Sequence, residues 1–198
     1  YEQADEQNKE IIEEIEFEKN IMSYPAYALY FSSDQTLMFV RSNKRIKAGD
    51  TYDNKVVTKV YTGFENATYT TSSKVPWYSY RKNITRVTAK HEIAPVSIAY
   101  WFYEFHNCGS FDLSKFNTSN VVDMRYAFYQ ASYTSTFAIF NISDWDTSNV
   151  TNMDAMFHYA GCQAGTVSLN LNNWDVSKVT SMSSMFFGAG YYCSGSVV

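Results

Sequence analysis

The chain has 198 residues, 16 basic and 20 acidic side chains for a net charge of −4, and is 45% hydrophobic and 18% aromatic. So apolar a composition excludes a disordered chain, and the length suffices for one core or two small ones. No apolar run approaches the length of a bilayer crossing, so no membrane span is expected, and neither a signal peptide nor a lipidation motif is visible.

Residues 1–20 carry eight acids and two lysines, net −6, which leaves +2 for the rest. Ile11, Ile12, Ile15 and Met22 among glutamates describe an amphipathic helix over residues 1–24, expected to dock on the adjoining β-rich module, with a stalk-like extension or a leftover of a longer chain as the alternatives. Pro25 ends it. The apolar runs 27–31 and 36–40, separated by Ser32-Ser-Asp-Gln35, read as a hairpin with a four-residue loop. Arg41, Lys44, Arg45 and Lys47 form a basic stretch. With no second cluster and no binding motif it reads as a solvated loop, and no nucleic-acid partner is expected. Val56–Tyr61 is a strand candidate. Residues 65–82 read as a long surface connection in which Trp77 tucks onto the sheet, or else forms an exposed Trp77-Tyr78 recognition patch. Ile84–Val87 is a further strand, which completes a β-rich module over residues 25–92.

From residue 93 the chain repeats itself. Phe116-Asn-Thr-Ser-Asn-Val-Val-Asp-Met124, Trp145-Asp-Thr-Ser-Asn-Val-Thr-Asn-Met153 and Trp174-Asp-Val-Ser-Lys-Val-Thr-Ser-Met182 recur 29 residues apart, each followed by a phenylalanine at 128, 157 or 186. A period of this size predicts a stacked array whose units bury their apolar sides only against one another. Upstream of each aromatic lies an alternating strip, Phe111-Asp-Leu113-Ser, Phe140-Asn-Ile142-Ser and Leu169-Asn-Leu171-Asn. Its apolar row faces the core and its polar row faces water. Asn117, Asp146 and Asp175 stand two residues before a serine, the spacing of a side chain that bonds the backbone two residues on. Asp123, Asn152 and Ser181 read as N-caps of two-turn helices whose apolar positions fall at i, i+3, i+4 and i+7. The methionines in them read as core filling, with a soft-metal or adaptable apolar site as the alternative. Ile98, Trp101, Phe102 and Phe105 read as a degenerate first unit.

The units at 145–157 and 174–186 resemble the repeats of BspA-like leucine-rich-repeat bacterial surface proteins. Gly63-Phe64-Glu65, Pro76-Trp77, Ile84–Val87 and Ile93–Phe102 resemble the module that precedes those repeats. Phe116, Asn117 and Ala127 depart from the pattern, and Ala131, Ala160 and Ala189 stand where many members have cysteine. The resemblance implies an α+β, leucine-rich-repeat-like solenoid over residues 93–198, with a short strand, turn and short helix per coil and the β module as its cap. It also implies an extracellular or cell-surface location and an adhesive role.

No enzyme and no cofactor are expected. His91, His106 and His158 are scattered, no phosphate loop or nucleophile elbow appears, and Asp146 of the Asp144/Asp146 pair is accounted for by the repeated turn. The odd number of cysteines, Cys108, Cys162 and Cys193, fits no metal motif, and a Cys162–Cys193 bridge is one option. The expected function is a monomeric binding module for a host or extracellular-matrix protein or a glycan, with a structural spacer as the alternative. The candidate binding residues are the polar row Asp112, Asn141 and Asn170 with Ser114, Ser143 and Asn172, recurring about 4.8 Å apart, together with Trp77 and Tyr78.

Overall fold

A computed structural model describes residues 2–197, with side chains from residue 6 onward. Helix α1 (Glu2–Asn20) and a 3-10 turn (Ile21–Ser23) lead to strands β1 (Ala26–Phe31) and β2 (Thr36–Arg41). The short strands β3 (Thr51–Tyr52), β4 (Lys55–Val56) and β5 (Lys59–Tyr61) come next, then β6 (Arg86–Ala89), β7 (Ser110–Asp112), β8 (Phe137–Asn141) and β9 (Thr166–Leu169). Seven strands make one mixed sheet in the order β5-β1-β2-β6-β7-β8-β9, and β3 pairs with β4 alone. Pairing is antiparallel around β1 and parallel from β2 outward.

This architecture corrects the expected fold class. The molecule is dominated by one continuous mixed sheet, with α1 as the single α-helix among the described residues, and is not a leucine-rich-repeat solenoid with a helix in each coil. The three segments expected as helices, after Asp123, Asn152 and Ser181, contain none. An α-helix closes each N–H on its own carbonyl four residues back. Here only alternate N–H groups bond within the segment, three residues back: Ala127 to Met124, Tyr129 to Tyr126 and Ala131 to Phe128. The intervening ones cross to the next repeat: Met124, Tyr126, Phe128 and Gln130 donate to the carbonyls of Asn152, Asp154, Met156 and His158 at 2.7–2.9 Å. Met153, Ala155, Phe157 and Tyr159 do the same to Ser181, Ser183, Met185 and Phe187.

The geometry requires recurrent left-handed backbone, at Tyr100 and Glu104, then at Tyr126, Gln130 and Ser132, at Ala155, Tyr159 and Gly161, and at Ser184, Gly188 and Gly190. That conformation is strained for non-glycine residues and persists only where the surroundings hold it. The inward residues still fall at i, i+3, i+4 and i+7, as in Met153, Met156, Phe157 and Ala160, all buried. Apolar spacing therefore could not separate this chain of turns from a helix. The residues expected to cap helices instead form a lateral row of bridges, Ser97 to Asp123 to Asn152 to Ser181. Asp123 and Asn152 still accept an N–H two residues on, from Arg125 at 3.0 Å and Asp154 at 2.9 Å.

The repeats pair in parallel at the period of the sequence: Phe111 faces Phe140, and Phe140 faces Leu169. Between sheet and turns the core is a set of ring columns. Phe116, Trp145 and Trp174 stack at 6.2 and 6.1 Å, and Phe102, Phe128, Phe157 and Phe186 at 5.2, 5.3 and 5.6 Å. Trp145 and Trp174 donate their indole N–H to the preceding unit's Leu113 and Ile142 carbonyls. Met124 and Met153 are fully buried, whereas Met182 and Phe186, in the last unit, are 40% and 48% exposed. The same core continues under β1, β2 and β6, and Tyr27, Leu29, Phe31, Met38, Val40, Ile46 and Val57 form a second cluster on the opposite face. Burial on both faces explains why β1 and β2 read as unbroken apolar runs.

Further expectations are corrected nearby. Ile11, Ile12 and Ile15 are 49%, 57% and 61% exposed, so the helix stripe does not dock; α1 meets the sheet through Phe17, which stacks on Tyr24 and packs edgewise on His91. Arg41 is a buried residue and not part of a solvated loop: its guanidinium bonds the carbonyls of Glu92 and Tyr24 and pairs with Glu65. Cys108, Cys162 and Cys193 are all free thiols, so no Cys162–Cys193 bridge forms.

Candidate functional site

The residues singled out from sequence do not form one site. Trp77 is fully buried and donates its indole N–H to the Trp101 carbonyl, so it belongs to the core and not to an exposed patch. Tyr78 is half-buried beneath Arg81, whose guanidinium lies 3.9 Å from the ring centre. The polar row is real over two strands only. Asn141 donates to the Asp112 carboxylate at 3.0 Å, and so does Ser114, at 3.0 Å. Asn170 lies beyond the end of β9 and accepts the N–H of Asn172, while Ser143 turns to Asp144. Ser114 and Asn172 line separate clefts, so the row does not converge on one site.

The opposite, turn-bearing side holds a more organised surface. In each segment the residue after the core phenylalanine points outward, and these residues stack: Tyr103 on Tyr129 at 4.8 Å, Tyr129 on His158 at 4.9 Å and His158 on Phe187 at 5.2 Å, with interplanar angles of 6°, 5° and 19°. A second column beside it holds Tyr100 on Tyr126 at 5.0 Å and 5°. On its other flank Tyr133 and Tyr159 meet edgewise, and a cleft of about 500 Å³ lies among Tyr133, Tyr159, Phe187, Tyr191 and Tyr192. A cleft of about 340 Å³ opens between the first two columns.

The cause is local. The backbone carbonyls of Tyr129, His158 and Phe187 each accept an N–H of the preceding unit, from Glu104, Gln130 and Tyr159, so the repeat spacing becomes the ring spacing. Burial raises the hydroxyl pKa of Tyr103 to about 12 and those of Tyr100 and Tyr129 above the usual value, so all three remain neutral hydrogen-bond donors at physiological pH. Both arginines here are paired, Arg81 with Glu104 at 3.1 Å and Arg125 with Asp123 at 2.9 Å. The sequence signal for this face was the outward aromatic at 129, 158 and 187, hidden because it is Tyr, His and Phe in turn.

Among the described residues, no helix is long and apolar enough to cross a membrane. Nor do three or more His, Cys, Asp or Glu side chains gather where they could hold a metal ion. No curated protein and no solved structure matches the chain. A family model described as "Mycoplasma protein of unknown function, DUF285" matches residues 96–194, half of the chain, and covers every repeat with its outward aromatics. The chain therefore belongs to the DUF285 family of Mycoplasma proteins of unknown function.

Proposed function

We propose that the chain is a non-catalytic binding module acting outside the cell, and that its recognition surface is the turn-bearing aromatic face rather than the polar row of the sheet. The observation that carries this reading is the outward column Tyr103–Tyr129–His158–Phe187. Aromatic side chains concentrated on one face, already held in place by stacking, lose little conformational freedom on contact, and such residues dominate binding energy at interfaces. By contrast, the Asp112 Oδ1 already accepts from both Asn141 and Ser114, and the row Asp112, Asn141 and Asn170 offers no ring on which a partner could stack. The expected partner remains a host or extracellular-matrix protein or glycan.

The test compares two folded variants in capture assays on immobilised matrix proteins, glycans and host-cell surfaces. Replacing Tyr129, His158 and Phe187 together with serine is expected to lower capture at least tenfold. Replacing Asp112, Asn141 and Asn170 together with alanine is expected to leave it within twofold. Equal capture by both variants and the parent would remove the reading.

A further inference from the structure

The column that begins Tyr100–Tyr126 does not continue. The next positions at the repeat spacing are Ala155 and Ser184, so no ring stands on the far side of Tyr126. The neighbouring column is aromatic throughout, and the gap is the cleft of about 340 Å³ lined by Tyr126, Asp154, Ala155, His158, Ser183 and Ser184, with Tyr103 and Tyr129 behind them. We propose that this cleft is a subsite for one pyranose ring of a neutral glycan, which lies against Tyr126 in the place of the missing aromatic. The proposal rests on the reading that this face binds an external partner, and names the chemistry of one partner class.

Three observations select that chemistry. A pyranose chair has an apolar face of axial C–H groups that can lie on Tyr126 where the next aromatic of the column is missing. The polar groups at its rim are hydroxyl partners. Asp154 Oδ1 accepts the Ser181 hydroxyl and the Ser183 N–H, whereas Oδ2 has no partner among the described residues, and the hydroxyls of Ser183 and Ser184 are exposed. The lining is more polar than apolar, which suits a ring that carries several hydroxyls. An aromatic side chain from a protein partner would use the stacking surface but leave Asp154 and the serines without partners. The third observation is charge: Arg81 and Arg125 are already paired with Glu104 and Asp123, and the unpaired carboxylate oxygen repels anions, which excludes sialylated or sulfated sugars.

The test uses the full chain and saturation-transfer NMR with methyl β-galactopyranoside, methyl α-mannopyranoside and N-acetylglucosamine at millimolar concentration, with tyrosine amide as the aromatic probe. At least one sugar is expected to bind saturably and to shift the amides of Tyr126, Ala155 and Ser184. Ala155→Tyr rebuilds the column at a position whose counterparts Tyr100 and Tyr126 already carry tyrosine in the same left-handed backbone. Because Ala155 is only 5% exposed, the variant is first checked for a thermal midpoint like the parent's, and when folded it is expected to weaken sugar binding at least tenfold. Asp154→Asn is expected to weaken it several-fold. The proposal is overturned if none of the three sugars saturates, if Ala155→Tyr binds as well as the parent, or if only tyrosine amide enters the cleft. Matrix or cell capture that still depends on Tyr129, His158 and Phe187 would then show that the subsite alone has failed.

Discussion

At the residue scale, four side chains decide more than their number suggests. Arg41 ties the exit of α1 to the start of the repeats, because its guanidinium bonds Tyr24 and Glu92 and pairs with Glu65, which in turn accepts the Ala94 N–H. Removing one member of a buried pair strands the other, so Arg41→Ala should lower unfolding free energy by about 3–5 kcal/mol in urea titration. His91 is held neutral by burial, which lowers its pKa, and its Nδ1 accepts the Arg41 N–H. The unfolded chain then binds a proton at higher pH than the folded one. Stability is full above the unfolded value, about 6.5, and is lost as pH falls below it. The thermal midpoint should drop between pH 7.5 and 5.5, and His91→Gln should flatten that slope. Asp146 and Asp175 show the ordinary acid case. The Ser148 and Ser177 hydroxyls, then the backbone N–H of the same residues, hold their pKa values below the usual carboxylate value. Their contribution is present at neutral pH and is lost as pH falls through the folded values, below about 4. Changing both to Asn, the residue that already fills this position at 117, should make the acid-side melting profile shallower.

At the scale of elements, the turn segments are the unexpected component. The 29-residue sequence period places equivalent residues side by side on both the sheet and the turns, but the backbone of the turns is held by neighbours rather than by itself. This difference has a direct readout in amide exchange. The N–H groups of Met153, Ala155, Phe157 and Tyr159 end on carbonyls of the succeeding unit and should exchange slowly. Those of Met182, Ser184, Phe186 and Gly188, in the same positions of the last unit, have no acceptor among the described residues and should exchange at least a hundredfold faster. Comparable protection of the two sets would mean that the turns are independent of one another. Core columns behave similarly: Phe128 stacks between Phe102 and Phe157, so Phe128→Ala should cost about 3–5 kcal/mol.

For the whole molecule, the β-rich part and the repeats share one sheet and one core, from Ala26 to Met185. Helix α1 stands apart from that core, since its isoleucines face water and Phe17 provides its aromatic contacts with Tyr24 and His91. Deleting residues 2–16 should therefore shift the thermal midpoint by no more than about 2 °C, whereas Phe17→Ala should shift it further, measured by calorimetry. The two sides of the molecule also differ in character. The sheet beyond β6 carries the hydrogen bonds of Asn141 and Ser114 to Asp112 beside Phe137 and Ile139, each 45% exposed, while the turn side carries the stacked aromatics that the proposed binding role uses.

Sequence by itself determined the parallel repeat register, the Asx turns at Asn117, Asp146 and Asp175 and the inward rings, because each depends on a local pattern that the period then copies. It did not determine every strand: the one expected over Val56–Tyr61 is split between β4 and β5, and the strip expected from Leu169 onward runs past the end of β9. Only tertiary structure decided that the segments after Asp123, Asn152 and Ser181 are turns and not helices. The i, i+3, i+4, i+7 spacing suits both, and the choice lies in whether an N–H finds its carbonyl four residues back or in the neighbouring unit. The same holds for the outward face. Tyr129, His158 and Phe187 share no residue type, and it is the lateral hydrogen bonds beneath them that bring three dissimilar rings into one column.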